Sequence, residues 1–238
     1  MRLLLISNST NPGETYLDYP KKHIQTFLEK EGNIREVLFV PYAAVTFSHD
    51  AYVDKVGQRF DEFGVKVRGI HRESDPVAAV RAAQAIVVGG GNTFRLLKYV
   101  RESGIVNAVR EKVGNGTPYV GWSAGSNMAC PTICTTNDMP IVEPDSFEAF
   151  NLIPFQINPH YLDAHPQGHA GETREQRIEE YIAANPGRYV AGLREGCIFL
   201  FEDGKLSLIG DKPVRVFKNG QKPVEVNAGE DFGFLFTS

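Results

Sequence analysis

Short apolar runs, separated by longer stretches with apolar residues at helical spacing, set the pattern of the first half of the chain. RLLLIS (residues 2–7), EVLFVPY (36–42), VKVRGI (65–70) and AIVVGGG (85–91) are rich in branched residues and bounded by Gly, Pro or Ser, which predicts buried strands. Between them, YPKKHIQTFLEKEG, AYVDKVGQRFDEFG and DPVAAVRAAQ carry the spacing of amphipathic helices, and two of the three end at glycine. A helix pair in NTFRLLKYVRESGIVNAVREKVGNG then leads to PYVGW, another buried strand. The β-α-β-α order predicts a parallel α/β sheet with helices on both faces.

Past residue 130 the pattern loosens into a long polar, proline-bearing region, a kind of segment that often carries function. One more helix is predicted at GETREQRIEEYIAAN (171–185), opened by Glu172 and closed near Pro186. From YVAGLR onward, apolar and polar residues alternate between EDGK, KNGQ and NAGED turns, which predicts a run of antiparallel strands. No linker or repeat divides the 238 residues, so one domain spanning 1–238 with a β-rich C-terminal edge is expected.

Composition narrows the function classes. The chain has 42% hydrophobic and 23% charged residues, ordinary values for a folded globular protein. A net charge of -4 creates no basic field, so neither nucleic acid nor anionic membrane is an expected partner. The apolar run before Ser7 and Asn8 is too short for a signal peptide or a membrane span, and the expected location is cytoplasmic. Cys130, Cys134 and Cys197 form no Cys-x-x-Cys pair and read as reduced, mostly structural thiols.

The chemistry centres on YVGWSAGSNMA (119–129), where the strand at PYVGW runs into Gly-Trp-Ser-Ala-Gly. Gly-x-Ser-x-Gly after a buried strand is the pattern of a nucleophile elbow, which aims the Ser123 hydroxyl outward from a strand-to-helix turn. The turn also places the Ala124 amide at a helix N-terminus, where it would favour developing negative charge. A second oxyanion donor is expected from VVGGGNT, at Gly91 or, alternatively, Gly90. A tight structural turn is the plain alternative. Trp122 could pack behind the elbow or line the substrate pocket.

Serine needs a base. His23, His49 and His71 have structural explanations on or beside predicted helices and strands. His160, in FQINPHY, follows an apolar stretch and a proline that stiffens its approach. His165 and His169 lie in the loop DAHPQGHAGE, suited to solvent or substrate contact; a metal site there lacks accompanying acidic or cysteine ligands, so no metal is expected. Glu195 in AGLREGCIFL and Asp138 in TTNDMPIV are both candidates for the acid that orients the imidazole, and either could instead be a solvated turn carboxylate.

The stretches LLLISNST, VGGGNTF, GWSAGSN, CPTICTTNDMPIV, QINPHY, GETREQRI and GLREG, spread in order to about residue 200, resemble the aspartyl dipeptidase (peptidase E) family of S51 serine peptidases. The resemblance implies a parallel α/β sheet similar to class I glutamine amidotransferases and a Ser-His-Glu triad of Ser123, His160 and Glu195, with Asp138 a proposed acid partner near the site. The order Ser, His, Glu differs from the Ser, acid, His order of common α/β-hydrolases. A serine nucleophile, and a histidine and glutamate far apart in sequence, also set the chain apart from glutamine amidotransferases.

The resemblance implies a small peptide substrate with N-terminal aspartate (Asp-Xaa) and no cofactor. A site for that side chain needs a cation that forks onto a carboxylate, and Arg174, at the beginning of a helix, is assigned to it. The plain alternative for Arg174 is a helix ion pair with Glu175 or Glu179. Asn92 and Thr93 are candidates for the substrate's amino end or carbonyl. A related specificity (cyanophycin-degrading or broader aminopeptidase), a non-catalytic binding protein and a carboxylesterase are the competing readings, and monomer and homodimer are both compatible with the sequence.

Overall fold

The computed structural model describes residues 1–30, 32, 34–163 and 171–237. Five strands, β1 (Leu3–Ile6), β2 (Glu36–Val40), β3 (Lys66–Gly69), β4 (Ile86–Val88) and β5 (Tyr119–Trp122), are all parallel and lie in the order β3-β2-β4-β5-β1. Six helices follow them: α1 (Asp18–Glu29), α2 (His49–Asp61), α3 (Pro76–Ala82), α4 (Thr93–Glu102), α5 (Val106–Gly114) and the short α6 (Ala124–Ala129). Three of their N-termini use local side-chain acceptors: Ser48, Asp75 and Asn92 accept from the amides of Ala51, Ala78 and Arg95.

The strand LLLI is buried throughout because helices cover both faces. Leu3 and Leu5 join the core that holds Val80, Leu96, Leu97 and Val109 from α3, α4 and α5, while Leu4 and Ile6 join the one that holds Ile24, Phe27, Val53 and Val56 from α1 and α2. Each such side chain, fully buried, contributes roughly 1.5–3 kcal/mol relative to exposure.

The C-terminal half corrects one expectation. Tyr189–Arg194 (β7) pairs antiparallel with Val214–Lys218 on one side, as expected, but its other side pairs parallel with β6 (Gln156–Tyr161) across the helix α7 (Arg174–Ala184). The physical reason is visible in its burial, since every residue from Val190 to Arg194 is buried, as expected of a covered parallel strand. The strands after it do pair antiparallel but are split between two sheets. β8 (Ile198–Glu202) and β9 (Lys205–Ile209) extend the first sheet beyond β1, while β10 (Val214–Lys218) and β11 (Val224–Val226) extend β7 into a second sheet of order β11-β10-β7-β6. Alternation along a strand reports its two faces, not its partner.

Charged side chains lock the second sheet at the strand ends. Arg194 donates to both carboxylate oxygens of Asp163 (2.8 and 2.6 Å) and of Glu225 (2.8 and 3.0 Å), and Arg215 joins Glu225 to Glu175 at the start of α7. Among the described residues no helix is long and apolar enough to cross a membrane.

Candidate active site

The C-terminal ends of β1, β4, β5, β6 and β7 converge, the usual place for a site in a parallel α/β fold. Ser123 follows β5 directly, with φ 54° and ψ -112°, a backbone conformation that side chains rarely adopt and that costs roughly 1–3 kcal/mol. Its amide donates to Ile6 O at 3.0 Å, and α6 begins at the next residue. That helix lies so close on β4 that a side chain at Gly125 would come within 2.1 Å of Val88 O, which explains the second glycine of the motif. The first half of the site is thus an elbow held between two neighbouring strands.

His160 comes from the end of β6 and is also left-handed, with φ 53°, beside an irregularity in the pairing with β7. Its Nε2 lies 2.9 Å from Ser123 Oγ and its Nδ1 lies 2.7 Å from Glu195 Oε1, so one imidazole bridges hydroxyl and carboxylate. Glu195 sits in the turn after β7. Both side chains are about one-third exposed, which leaves the relay open to a small substrate.

Asp138 does not touch His160: its Oδ2 accepts from the Thr93 amide (2.7 Å), the Thr93 hydroxyl (2.6 Å) and Thr136 Oγ1 (3.2 Å). Thr93 itself is fully buried, so its side chain acts on the site only by holding Asp138. Asn92 is likewise engaged with the protein, capping α4 and donating to Met139 O at 2.8 Å.

Arg174 opens α7 behind the Thr173 cap and donates to His160 O at 3.1 Å. The helix ion pair considered for it is not formed: Glu175 is taken by Arg215, and among the described residues no carboxylate lies within the 4.0 Å of an ion pair with Arg174. Burial, followed by the nearby Arg177, lowers its pKa from the ordinary arginine value, and the group stays a cation. With Thr135, Asn137, Asp138 and Asn158 it lines a cavity of ≈ 160 Å³. Arg174 and Asp138 thereby give this cavity both a cation and an anion. The buried Asn158 Oδ1 has no hydrogen-bond partner among the described residues. A larger hollow of ≈ 720 Å³, lined by Met1, Pro118 and Gly204, lies by the opposite ends of β1 and β5, away from the serine.

Gly91 has φ 132°, and a side chain on it would come within 2.4 Å of Ala43 O; at Gly90 a side chain would come within 3.0 Å of Ser123 Cβ. Gly90 therefore lies against the serine, while Gly91 lies against Ala43 and is exposed to solvent. Trp122 packs behind the elbow: it is buried, its ring stacks on Phe39 with centroids 5.9 Å apart, and it does not face solvent.

Other supports carry no motif of their own. Ser7 Oγ accepts from the His160 amide (2.9 Å) and donates to Leu193 O (2.8 Å), tying β1 to both strands of the base and acid. Asn8 Oδ1 accepts from the Gly196 amide at 2.8 Å and from the Tyr19 hydroxyl, which steadies the Glu195 turn. The only signal for them was their place after the first strand, in LLLISNST. His49 and His71 meet edge to face with ring centroids 5.3 Å apart, and His71 bonds Asp50, away from the serine's relay. His165 and His169 lie outside the described residues.

Comparison with known proteins agrees with this geometry at the level of family. The model of peptidase family S51 matches residues 3–209. Peptidase E of Nostoc sp. is 48% identical over 234 residues, covering 98% of this chain and 96% of that protein, and peptidase E of Salmonella typhimurium is 48% identical over 232 residues, covering 98% and 100%. Among solved structures, a peptidase from an acI-B1 actinobacterium superposes with a TM-score of 0.71 at 18% identity, covering 97% of this chain and 96% of that one. A Listeria monocytogenes EGD-e protein gives 0.63 at 24% identity, covering 89% and 98%, and these two likenesses speak to the fold. With nearly the whole length of both curated relatives matched at this identity, the chain belongs to peptidase family S51.

Proposed function

We propose that this protein is a serine dipeptidase that hydrolyses peptides with N-terminal aspartate. The observation that carries the reading is the continuous relay from Ser123 Oγ through His160 (2.9 Å) to Glu195 (2.7 Å). His160 takes the hydroxyl proton as Ser123 attacks the peptide carbonyl, and Glu195 holds the ring tautomer and stabilises the imidazolium. The amides of Ala124 and Gly91 receive the oxyanion. His160 then protonates the leaving amine, and water releases aspartate from the acyl-enzyme.

Specificity is assigned to the cavity that Asp138 shares with Arg174, which is linked to the relay through its hydrogen bond to His160 O. Arg174 binds the substrate's side-chain carboxylate, and Asp138, held in place by Thr93 and Thr136, faces the α-ammonium as an anion. Asp138 is therefore assigned to substrate binding and Glu195 to the imidazole. Hydrolysis of Asp-Leu, Glu-Leu and Leu-Leu by wild type and Ser123→Ala, with EDTA present, tests this: cleavage of Asp-Leu alone, lost in the variant, is expected, and comparable cleavage of Leu-Leu would remove the specificity claim.

A further inference from the structure

The oxyanion donor at Gly91 depends on how one peptide plane is turned, and a tyrosine outside every quoted motif holds that plane. The Tyr52 hydroxyl, on α2, donates to Gly90 O at 2.9 Å. It accepts in turn from Trp122 Nε1 and from the Tyr16 hydroxyl, both at 3.2 Å, so all of its hydrogen-bonding capacity is used. The ring is clamped as well, meeting Phe39 edge to face at 5.0 Å. Burial pushes the Tyr52 pKa up to about 12, so the hydroxyl keeps its proton at neutral pH.

In a trans peptide, the carbonyl oxygen and the following amide proton point in opposite directions. Gly90 O is drawn toward the buried tyrosine on the Trp122 side of the sheet. The Gly91 N–H must then point away from that core, and among the described residues it has no acceptor. Gly91 is exposed, and its neighbour Gly90 packs against Ser123 Cβ, so this donor sits one residue from the contact with the serine. We infer that Tyr52 is a positioning residue for the oxyanion hole: through Gly90 O it presets the Gly91 amide, and Trp122 orients Tyr52 from behind the nucleophile. This rests on the serine-peptidase reading above. It also gives the lone tryptophan beside Ser123 a task, since the same side chain that backs the elbow aligns the donor loop.

The test is Tyr52→Phe, which keeps the ring and removes only the hydroxyl. The readout is the rate at which a fluorophosphonate labels Ser123, because its phosphoryl oxygen uses the same donors whatever the peptide specificity. Labelling is expected to slow roughly tenfold, the scale of one hydrogen bond. On Asp-Leu, kcat should fall by a similar factor with KM nearly unchanged, and the pH midpoint of labelling should stay in place because His160 is untouched. Labelling at the wild-type rate in a folded Tyr52→Phe protein overturns the inference, as does a slowing caused by a shifted pH midpoint.

If Tyr52→Phe fails to fold, Trp122→Phe carries the test: it keeps an aromatic ring against Phe39 and removes the indole donor. A several-fold slowing is then expected, and an unchanged rate overturns the inference. A wild-type protein that is not labelled at Ser123 overturns the serine reading and this inference with it, whereas a labelled wild type with unaffected variants overturns only the role of Tyr52.

Discussion

Removal of the Arg174 charge should separate recognition of the substrate from the chemistry at Ser123. The guanidinium lines the ≈ 160 Å³ cavity, and its one hydrogen bond among the described residues is to His160 O at 3.1 Å. Two opposite charges about 4 Å apart attract by about 4 kcal/mol at an effective dielectric constant near 20. Partial exposure of the site reduces this to ~2–3 kcal/mol, which corresponds to a loss of roughly 30- to 150-fold in kcat/KM for Asp-Leu. The stability cost is smaller, about 1 kcal/mol for the lost hydrogen bond. The assay is steady-state hydrolysis of Asp-Leu by wild type, Arg174→Ala and Arg174→Lys over a range of KCl concentrations, with fluorophosphonate labelling of Ser123 as the control. Arg174→Ala should lose about two decades on Asp-Leu and keep its labelling rate within a few-fold; Arg174→Lys should fall between, keeping the charge without the fork. Hydrolysis of Asp-Leu by Arg174→Ala within about threefold of wild type would refute the assignment.

Three further outcomes are expected. Glu195→Gln should lower kcat by a factor on the order of 10³ or more, whereas Asp138→Asn should mainly raise KM; the reverse pattern in steady-state kinetics would exchange their roles. Native protein should react with a thiol reagent near pH 8 at exposed Cys134 only, because burial pushes the Cys130 thiol up to about 12 and raises that of Cys197; peptide mapping that finds either buried cysteine modified before unfolding would contradict this. Arg194 holds the carboxyls of Asp163 and Glu225 below their ordinary values, so their contribution to stability is complete above the unfolded carboxylate range, near pH 4, and is lost as pH falls through the lower folded values. Tm measured against pH should accordingly fall less steeply on the acid side in Arg194→Met than in wild type, and equal slopes would show that these pairs do not act.

The parallel half of the fold was legible because each strand there is a short branched run ending at a turn residue, and its position after a helix leaves few topologies open. The parallel pairing of β7 with β6 was missed for a physical reason: YVAGLR alternates weakly, and alternation does not report which strand lies alongside. Ser123 was legible because the elbow needs small neighbours at fixed spacing, and Gly125 against Val88 O shows how little room there is. His160 and Glu195 were picked out by FQINPHY and GLREG, but nothing in either stretch says that the two meet. Their meeting depends on β6 and β7 ending side by side, which is a property of the sheet. Asn92 and Thr93 were expected at the substrate's amino end or carbonyl, but in the fold they cap α4 and hold Asp138. Tyr52 lies on α2 with no sequence pattern that points to the site, and only its distance to Gly90 O ties it there.

In the proposed reaction an aspartyl group passes through Ser123. Rapid acid quench of turnover on an aspartyl p-nitrophenyl ester, followed by intact mass and peptide mapping, tests it directly, since the activated leaving group makes release of the acyl-enzyme the slow step. The account predicts an aspartyl adduct on the peptide containing Ser123, absent in Ser123→Ala. Steady turnover with no adduct, or an adduct on another residue, would contradict it.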